Sequence, residues 1–449
     1  TTHFVNALLE KKDLAPSASL RLCLPATTML PPLVDWPNDL KQSIGAHTYM
    51  ANGGNEYDGR EISPIDEKEL IDITHKMIDE GIRSVSVCGV FSPVDDNHEK
   101  KAAEIIKSVA PQMSITLSSE IGRVGILERE NAAMLNACLV EVATNTVAAI
   151  RKAMSSAGLN VPLYFSQNDG TLMQSEFASN YPVFTIASGP TNSMRGAAFL
   201  SGVLDAVVID IGGTSTDGGM LMRGFPREAA VAVDVAGVRT NFRMPDVFSV
   251  ALGGGSLIKK NPLTIGPESV GYKLTSQGII FGGDQLTATD IAVASGITEI
   301  GDRNLVADVD PEFAESAIKE IQTRVEDVVD QLKVSAKPVP VVLVGGGSIL
   351  IKNNFEGASD VLRPTNAEVA NAIGAAISQV GGQIEKVYSL TDMSREEALE
   401  LAKNEAAGKA IEAGGDPNSI EIVDIEEIPL TYLPSNALRV KIKAVGNLI

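Results

Sequence analysis

The stretch from Val207 to Met222 has the clearest chemistry in the sequence, because two apolar segments flank a polar loop with an aspartate at each end, Asp210 and Asp217. The loop residues are Gly212, Gly213, Thr214, Ser215 and Thr216. Glycines let backbone N–H groups point at one spot without obstruction by a Cβ atom, and hydroxyls add further donors. We therefore expect this loop to bind phosphate oxygens.

The two aspartates indicate that the loop binds a cation together with the phosphate. Asp210 and Asp217 would repel a bare phosphate, so the pattern predicts a hard cation such as Mg²⁺ between them. Asp210 would hold a metal-bound water or orient the attacking oxygen, and Asp217 would assist the metal. A tight hairpin with a polar turn is the alternative, but a plain hairpin does not need so many Gly and Thr residues between two aspartates.

Two further glycine runs follow apolar segments. They are Gly253, Gly254 and Gly255, and then Gly345, Gly346 and Gly347 with Ser348 after them. Glycine runs allow a backbone to approach a nucleotide or a neighbouring strand more closely than any side chain permits. A flexible linker is the alternative for the first run, although its neighbours are apolar rather than polar.

Polar residues at two strand ends or turns are candidates for substrate contacts. Asn168 and Gly170 follow the short apolar segment 163–165, where an amide could orient a polar ligand, although a simple turn explains them equally well. Ser188 and Gly189 precede a small-residue helix whose first N–H groups would be free. A packing role explains these small residues as well as a ligand contact does.

The elements that must position these residues alternate between helices and strands. Helical periodicity predicts helices at residues 66–81, 97–109, 127–156, 311–334 and 394–414, and apolar runs predict strands at residues 84–91, 114–117, 183–186, 207–211, 339–344, 420–425 and 438–445. Such alternation indicates sheets covered by helices, an α/β architecture.

Composition excludes several classes of function. The chain has 449 residues, 57 acidic and 37 basic, and a net charge of −20. This charge argues against nucleic acid or an anionic membrane as a partner and favours a cytoplasmic protein. No secretory signal and no apolar run of membrane-spanning length is recognised. The four histidines lack metal-ligand spacing, and the three cysteines, Cys23, Cys88 and Cys138, are expected to be reduced core residues.

The loop at 210–217 resembles the phosphate loop of the actin, sugar-kinase and chaperone ATPase superfamily and, more narrowly, that of the hydantoinase/oxoprolinase family. The likeness runs from residue 1 to about residue 381 and includes the Ser188-Gly189-Pro190 and Gly266-Pro267-Glu268 segments. It implies an actin-like or ribonuclease H-like fold, with residues 345–348 as the adenosine-side turn. Asp169 departs from the family pattern, which usually has glycine there, and the family's loop cysteine near residue 287 is absent.

The resemblance also implies three domains: residues 1–185 as the family's N-terminal domain, 186–385 as an actin-like ATPase domain, and 386–449 as an α/β appendage. The family's first phosphate loop lies upstream of the segment that resembles Thr1 to Glu10, and the chain begins without methionine. We therefore expect a processed or truncated first domain.

The activity implied by the resemblance is ATP-dependent hydrolysis of a cyclic amide such as a hydantoin or 5-oxoproline, with ATP and Mg²⁺ as cofactors. A second subunit of the hydantoinase B type, or a homo-oligomer, is the expected partner. Two alternatives stay open: another ATP-dependent enzyme of the superfamily, such as a ketone carboxylase subunit or a small-molecule kinase, and a nucleotide-binding scaffold without turnover.

Overall fold

The computed structural model describes residues 3–352, 356–391, 393–430 and 437–449. Thr1 and Thr2, at the start of the first predicted domain, lie outside the described residues, as do 392 and 431–436 in the predicted appendage. The chain separates into two compact units. The first unit takes its residues from 1–186, 230–244 and 379–449, and the second unit from 187–229 and 245–378.

Helices and strands alternate along much of the described chain. Up to residue 180 they are α1 (His3–Glu10), β1 (Ser17–Leu24), α2 (Asn38–Ile44), β2 (His47–Asn52), α3 (Glu67–Asp79), β3 (Ser84–Gly89), α4 (Asn97–Val109), β4 (Ser114–Leu117), α5 (Ile126–Ser156), β5 (Tyr164–Ser166), β6 (Leu172–Gln174) and α6 (Ser175–Asn180). From there to residue 377 they are α7 (Ser188–Ser201), β7 (Ala206–Ile211), β8 (Thr216–Met222), β9 (Phe225–Pro226), β10 (Val233–Val235), β11 (Val238–Thr240), β12 (Val247–Val250), β13 (Ser256–Lys259), β14 (Thr264–Ser269), α8 (Leu274–Gln277), α9 (Ala288–Ala294), α10 (Pro311–Leu332), β15 (Val339–Val344), β16 (Ala358–Leu362) and α11 (Ala370–Ile377). The last elements are β17 (Val380–Ser389), α12 (Arg395–Glu412), β18 (Glu421–Leu430) and β19 (Ala437–Gly446).

The first unit contains a parallel sheet of order β2-β1-β3-β4. Alternate residues of β1 and β3 are apolar, and helices cover them: Met77 of α3 and Ile106 of α4 belong to the same buried cluster as Leu20 and Val85. Asp66 begins α3 by accepting hydrogen bonds from the N–H groups of residues 68 and 69. The helix predicted at 66–81 is therefore confirmed at Glu67–Asp79, with Asp66 as its N-cap.

A second sheet of the first unit has the order β18-β19-β17-β6-β5. β17 pairs with β19 along its whole length and with β6 at Leu172, so the strands β17, β18 and β19 share a sheet with β5 and β6. Alanines of α12 pack on this sheet with Val440 and Ile442 of β19. The predicted C-terminal appendage thus lies in the same compact unit as the N-terminal domain.

Helix α5 corrects the expectation that the sequence has no apolar segment of membrane-spanning length. Among the described residues it is the one helix long and apolar enough to cross a membrane by length and composition, and 56% of its most apolar window is buried inside the structure. Its polar residues are paired there: Glu130 accepts a hydrogen bond of 2.9 Å from Arg21 Nε, and Arg129 Nη2 donates to the Gly89 carbonyl at 2.6 Å. Packing within the first unit accounts for the apolar composition of α5.

The second unit is built on a mixed sheet of order β12-β8-β7-β15-β16. β7 lies between β8, to which it is antiparallel, and β15, to which it is parallel. Helix α10 packs so closely on β8 that a Cβ atom at Gly218 would lie 2.4 Å from Val328, while one at Gly219 would lie 2.6 Å from Met194 of α7. Two adjacent glycines therefore let helices approach opposite faces of the same strand.

The segment at residues 183–186 was predicted as a strand, but the structure has a single 3₁₀ turn at Pro182–Thr185. A four-residue apolar run does not distinguish a strand from a buried turn, and proline favours the first position of a helical turn.

The three cysteines are free and buried, as expected from the sequence. Burial raises the pKa of the Cys88 and Cys138 thiols to about 12. Thiols with a pKa this high are inert at neutral pH, which agrees with a packing role for these side chains.

Candidate functional site

Asp210 and Asp217 lie directly opposite each other on the antiparallel strands β7 and β8. Directly paired residues project from the same face of a sheet, so the two carboxylates are neighbours. Burial raises the pKa of both groups, and the charge of Asp217 raises that of Asp210 further. Two adjacent carboxylates are destabilising unless a cation or a proton compensates them.

Each carboxylate accepts a hydrogen bond from one serine. Ser193 Oγ of α7 donates to Asp210 Oδ2 at 2.5 Å, and Ser249 Oγ of β12 donates to Asp217 Oδ1. These bonds oppose the effect of burial on the two pKa values. Each aspartate therefore keeps one oxygen that its serine does not use.

The loop between the two strands divides into an exposed part and a buried part. Gly213 and Thr214 are exposed, and the Gly212 N–H donates to the Ser215 carbonyl at 2.9 Å, which closes the turn. Within the described part of the chain, the hydroxyls of Thr214 and Ser215 have no hydrogen-bond partner. The exposed half of the loop is thus available to a ligand.

Thr216 behaves differently from the other loop residues. It is fully buried, and its hydroxyl donates to the Leu252 carbonyl at 2.6 Å. A hydroxyl has a single proton to donate, so Thr216 fastens the end of the loop and does not offer that proton to a phosphate.

The three glycines at 253–255 lie against the back of the loop. The N–H groups of Gly254 and Gly255 donate to the carbonyls of Gly212 and Gly213 at 3.0 and 2.8 Å. A Cβ atom at Gly253 would lie 2.5 Å from the Gly213 carbonyl carbon. The close approach predicted for this run is therefore to the loop's own backbone, which it supports.

Thr289 fixes this supporting segment from behind. Its N–H and hydroxyl both donate to the Gly254 carbonyl, at 3.0 and 2.8 Å. Helix α9 itself begins with a capping box between Thr287 and Asp290. The Thr-Ala-Thr-Asp segment thus supports the loop through Gly254.

The glycines at 345–347 lie beside Asp210, because Val344 of β15 pairs with Asp210 of β7. Gly345 has a φ of +81°, and a Cβ atom there would lie 2.3 Å from Asp210 Oδ1. A Cβ atom at Gly347 would lie 2.8 Å from the Gly212 carbonyl oxygen, whereas one at Gly346 would meet nothing within 4 Å. Ser348 is buried, and its N–H donates to the Gly345 carbonyl.

These contacts bring together the predicted residues 210–217, 253–255 and 345–348 at the carboxyl ends of β7 and β15 in the second unit. Carboxyl ends of adjacent parallel strands are a common place for ligands in α/β sheets. Ser188 and Gly189 begin α7 in the same unit, and the Gly189 carbonyl accepts a hydrogen bond of 3.0 Å from Asn371 Nδ2.

The other two predicted substrate residues, Asn168 and Gly170, belong to the first unit. Asn168 is buried and donates to the Arg243 carbonyl at 2.7 Å, and Gly170 has a φ of +80°. Between them, Asp169 forms ion pairs of 3.2 Å with Lys443 and 3.5 Å with Arg243. Burial alone would raise the pKa of Asp169, but these two cations and the Thr171 donors hold it well below its usual range.

Sequence reasoning missed three side chains of the site: Ser193, Ser249 and Asn371. Ser193 lies in the same small-residue segment as the predicted residues Ser188 and Gly189, but the sequence does not indicate that Ser193 contacts Asp210. Ser249 could have been inferred from a hairpin register between β8 and β12. Asn371 lies 178 residues from Ser193, and the sequence carries no signal for that contact.

The donor set fits the predicted metal. Among the described residues, no group of three or more His, Cys, Asp or Glu side chains could hold a metal ion. Two carboxylates without a third protein ligand suit Mg²⁺, which is usually bound through one or two carboxylates, waters and phosphate oxygens. The like-charged pair at Asp210 and Asp217 supplies such a set.

Comparison with known proteins places the chain in a family. A model described as hydantoinase/oxoprolinase matches residues 129–332, and a model of the hydantoinase/oxoprolinase N-terminal region matches residues 1–110. The acetophenone carboxylase gamma subunit of Aromatoleum aromaticum is 26% identical over 53% of this chain and 34% of its own length. The caprolactamase subunit alpha of Pseudomonas jessenii is 24% identical over 58% of this chain and 37% of its own length. The chain therefore spans little more than a third of these two relatives.

The crystal structure of the ATP-dependent caprolactamase from Pseudomonas jessenii has the same fold. It matches 100% of this chain and 78% of its own chain, with a TM-score of 0.77 and 18% identity. This likeness confirms the predicted α/β class with helix-covered sheets. Since the two family models together match most of the sequence, the chain belongs to the hydantoinase/oxoprolinase family.

Proposed function

We propose that this chain is the ATP-dependent part of a hydrolase that phosphorylates a cyclic amide, of the hydantoin or 5-oxoproline type, to prepare it for ring opening. The observation that carries the proposal is the Asp210–Asp217 pair beside an exposed Gly/Thr loop. Partly buried carboxylates that face each other, and that form no ion pair within the described residues, favour a metal ion between them, and an adjacent loop with free donors suits the phosphates that accompany it.

Each part of the site would have its own task. The N–H and hydroxyl groups of Gly213, Thr214 and Ser215 would donate to phosphate oxygens. Asp210 and Asp217 would bind Mg²⁺ through the oxygens that their serines leave unused, and Asp210 would orient the attacking oxygen. The glycines at 345–347, especially the unobstructed Gly346, would lie against the adenosine side. Bound MgATP would supply the phosphoryl group, and positioning with charge neutralisation provides most of the catalysis in such transfers.

A cyclic amide suits this chemistry because its carbonyl carbon is a poor electrophile. Transfer of the terminal phosphoryl group to the amide oxygen, with ADP leaving, would turn that oxygen into part of a good leaving group. Water could then add to the carbon, and the C–N bond would break as the ring nitrogen takes up a proton. A second water would hydrolyse the resulting acyl phosphate to the carboxylate and free phosphate. The relative named caprolactamase subunit alpha supports this substrate class.

A second candidate is activation of a ketone for carboxylation, favoured by the likeness to the acetophenone carboxylase gamma subunit. Phosphorylation of an enol oxygen would use the same Asp pair and the same loop, so the site's geometry does not separate the two reactions. Both relatives are named as subunits, which supports the proposal that this chain also works with a partner subunit.

The test is Mg²⁺-dependent phosphate release by the full-length gene product, with any co-purifying subunit, in the presence of hydantoin, 5-oxoproline, caprolactam, or acetone with bicarbonate. We expect a cyclic amide to stimulate release and to be opened in equal amount. Stimulation by the ketone with bicarbonate alone would replace the proposal by the second candidate. Tight ATP binding without stimulation by any of these compounds would contradict both and favour a nucleotide-binding scaffold.

A further inference from the structure

Ser193 makes a buried side-chain contact with Asp210 to which no role has yet been given. It is 1% exposed, and its hydroxyl donates to Asp210 Oδ2 at 2.5 Å. The side-chain amide of Asn371 lies behind it, with Nδ2 3.4 Å from Ser193 Oγ and 3.0 Å from the Gly189 carbonyl oxygen. Asn371 of α11, Ser193 of α7 and Asp210 of β7 thus follow one another in contact.

The helix that carries Ser193 is fixed in place by backbone contacts. A Cβ atom at Gly196 of α7 would lie 1.9 Å from the Ala370 carbonyl oxygen, and one at Gly374 of α11 would lie 1.8 Å from the Asn192 carbonyl oxygen. Helices in contact through glycines on both sides leave little room to shift. Ser193 therefore meets Asp210 from a rigid support.

We infer that Ser193 is a positioning residue for Asp210, and that Asn371 orients Ser193. This inference rests on the proposed function only in that Asp210 is taken to bind Mg²⁺ beside a nucleotide. The Ser193 hydroxyl donates to Oδ2 of Asp210 and so fixes the rotamer of that side chain, with Oδ1 facing Gly345. Orientation of a metal ligand by such a partner commonly changes metal affinity by about tenfold or more.

The role of Asn371 follows from its donors. An amide N–H directed at Ser193 Oγ occupies a lone pair of that oxygen, so the hydroxyl proton is directed to Asp210. Ser249 makes the same type of bond to Asp217, but it is an exposed residue on the edge strand β12. The serine that supports Asp210 is therefore buried and is held by the exposed Asn371 behind it, whereas the serine that supports Asp217 is itself exposed.

The inference is tested by calorimetric titration of the full-length protein with ADP, in excess Mg²⁺ and in EDTA. In the unmodified protein we expect Mg²⁺ to strengthen ADP binding. In Ser193→Ala we expect this strengthening to fall by about tenfold, because a hydrogen bond to a charged group is lost, with ADP affinity in EDTA unchanged. Ser193→Cys, which keeps a weak donor, should give an intermediate loss, and Asn371→Ala a smaller loss in the same direction.

Ser201→Ala is the matched control. Ser201 lies on the same helix, and its hydroxyl donates to the Ala197 carbonyl at 2.7 Å, away from the site. Thermal unfolding of each variant checks that the fold is intact. The inference is overturned if Ser193→Ala matches Ser201→Ala, if ADP binding in EDTA falls as much as in Mg²⁺, or if the unmodified protein shows no effect of Mg²⁺. The proposed function is judged separately by the substrate panel, so an unstimulated protein with Mg²⁺-linked ADP binding would refute the hydrolase and leave the inference standing.

Discussion

A buried aspartate in the first unit and a partly buried aspartate in the second unit show opposite ways of compensating a carboxylate charge. Asp169 in the first unit is 3% exposed and is surrounded by Lys443, Arg243 and the donors of Thr171, which hold its pKa well below the usual range despite burial. Asp210 in the second unit faces another carboxylate and has one serine donor, and burial raises its pKa. Both lie near a strand end beside glycines, so sequence context alone does not separate them.

The difference indicates which carboxylate is structural. A buried charge that the protein neutralises itself is part of the architecture, and removing one partner leaves the others buried and uncompensated. A partly buried charge that the protein leaves uncompensated, next to an exposed loop with free donors, is a candidate ligand for a cation. This contrast predicts opposite consequences of substitution at the two positions.

The largest expected effect is on turnover in Asp210→Asn. This substitution keeps the shape of the side chain but removes the charge that would bind Mg²⁺ and orient the attacking oxygen. We expect substrate-stimulated phosphate release to fall by about 10³-fold, the order seen when a single electrostatic contact of a transition state is removed. Asp205→Asn is the control and should retain activity, because Asp205 accepts a hydrogen bond from the Arg223 N–H at the opposite end of the β7–β8 pair from Asp210. Equal activity of Asp210→Asn and Asp205→Asn would refute the assignment.

Asp169→Asn tests the other side of the comparison. The substitution leaves the buried Lys443 and the partly buried Arg243 without their shared carboxylate, and breaking such a buried pair costs about 3–5 kcal/mol of unfolding free energy. Urea unfolding of the unmodified and variant proteins measures this loss. Glu427→Gln, which breaks the surface pair with Arg395, is the control and should change little. A loss no greater than that of the control would show that Asp169 is not a structural carboxylate.

Gly345→Ala and Gly346→Ala sharpen the description of the Asp210 site. Gly345 has a positive φ, and an added Cβ atom would lie 2.3 Å from Asp210 Oδ1, so alanine must displace the carboxylate or the turn. A displacement of this kind costs about 10²-fold in turnover. Gly346 has open space at the Cβ position, so alanine there should leave Asp210 in place. Because Gly346 is proposed to lie against the adenosine side, Gly346→Ala should weaken ATP binding but change turnover little at saturating ATP. Similar activities of the two variants would mean that Asp210 tolerates movement.

Much of the fold could be predicted because its elements carry local signals. The helix predicted at 97–109 and the strand predicted at 339–344 have the bounds Asn97–Val109 and Val339–Val344. Both segments are strongly periodic or continuously apolar, and such segments are reliably assigned from sequence. The α/β class followed from the alternation of these segments.

The site was predicted where its residues are contiguous and missed where they are not. The loop between Asp210 and Asp217 is one local segment, so its turn and its register follow from the sequence. Asp169 and Lys443 are separated by 274 residues, and no local pattern indicates that the lysine neutralises the aspartate. The same limit applies to Asn371, and to the use of Gly254 and Gly255 as support for the loop.

The smallest effect, and the most direct test of the contrast, is the pH dependence of stability in EDTA. The pKa of Asp169 is lowered on folding, so its stabilisation is complete above its unfolded value of 3.8 and is lost as pH falls from there toward the lower folded value. The pKa of Asp210 is raised on folding, so its penalty is absent below the same unfolded value of 3.8 and grows as pH rises through its folded value.

The two aspartates should therefore give difference curves of opposite slope. The unfolding free energy of the unmodified protein minus that of Asp169→Asn should rise as pH increases from about 2 to about 4, whereas the same difference for Asp210→Asn should fall as pH increases past about 4. Urea unfolding across a pH series, with all three proteins in EDTA, measures both curves. Parallel curves would show that the protein compensates both carboxylates in the same way. If the slopes are opposite and the slope of the Asp210→Asn curve disappears when MgADP is added, the cation is the missing partner of Asp210, since a ligand that binds only the folded state stabilises it.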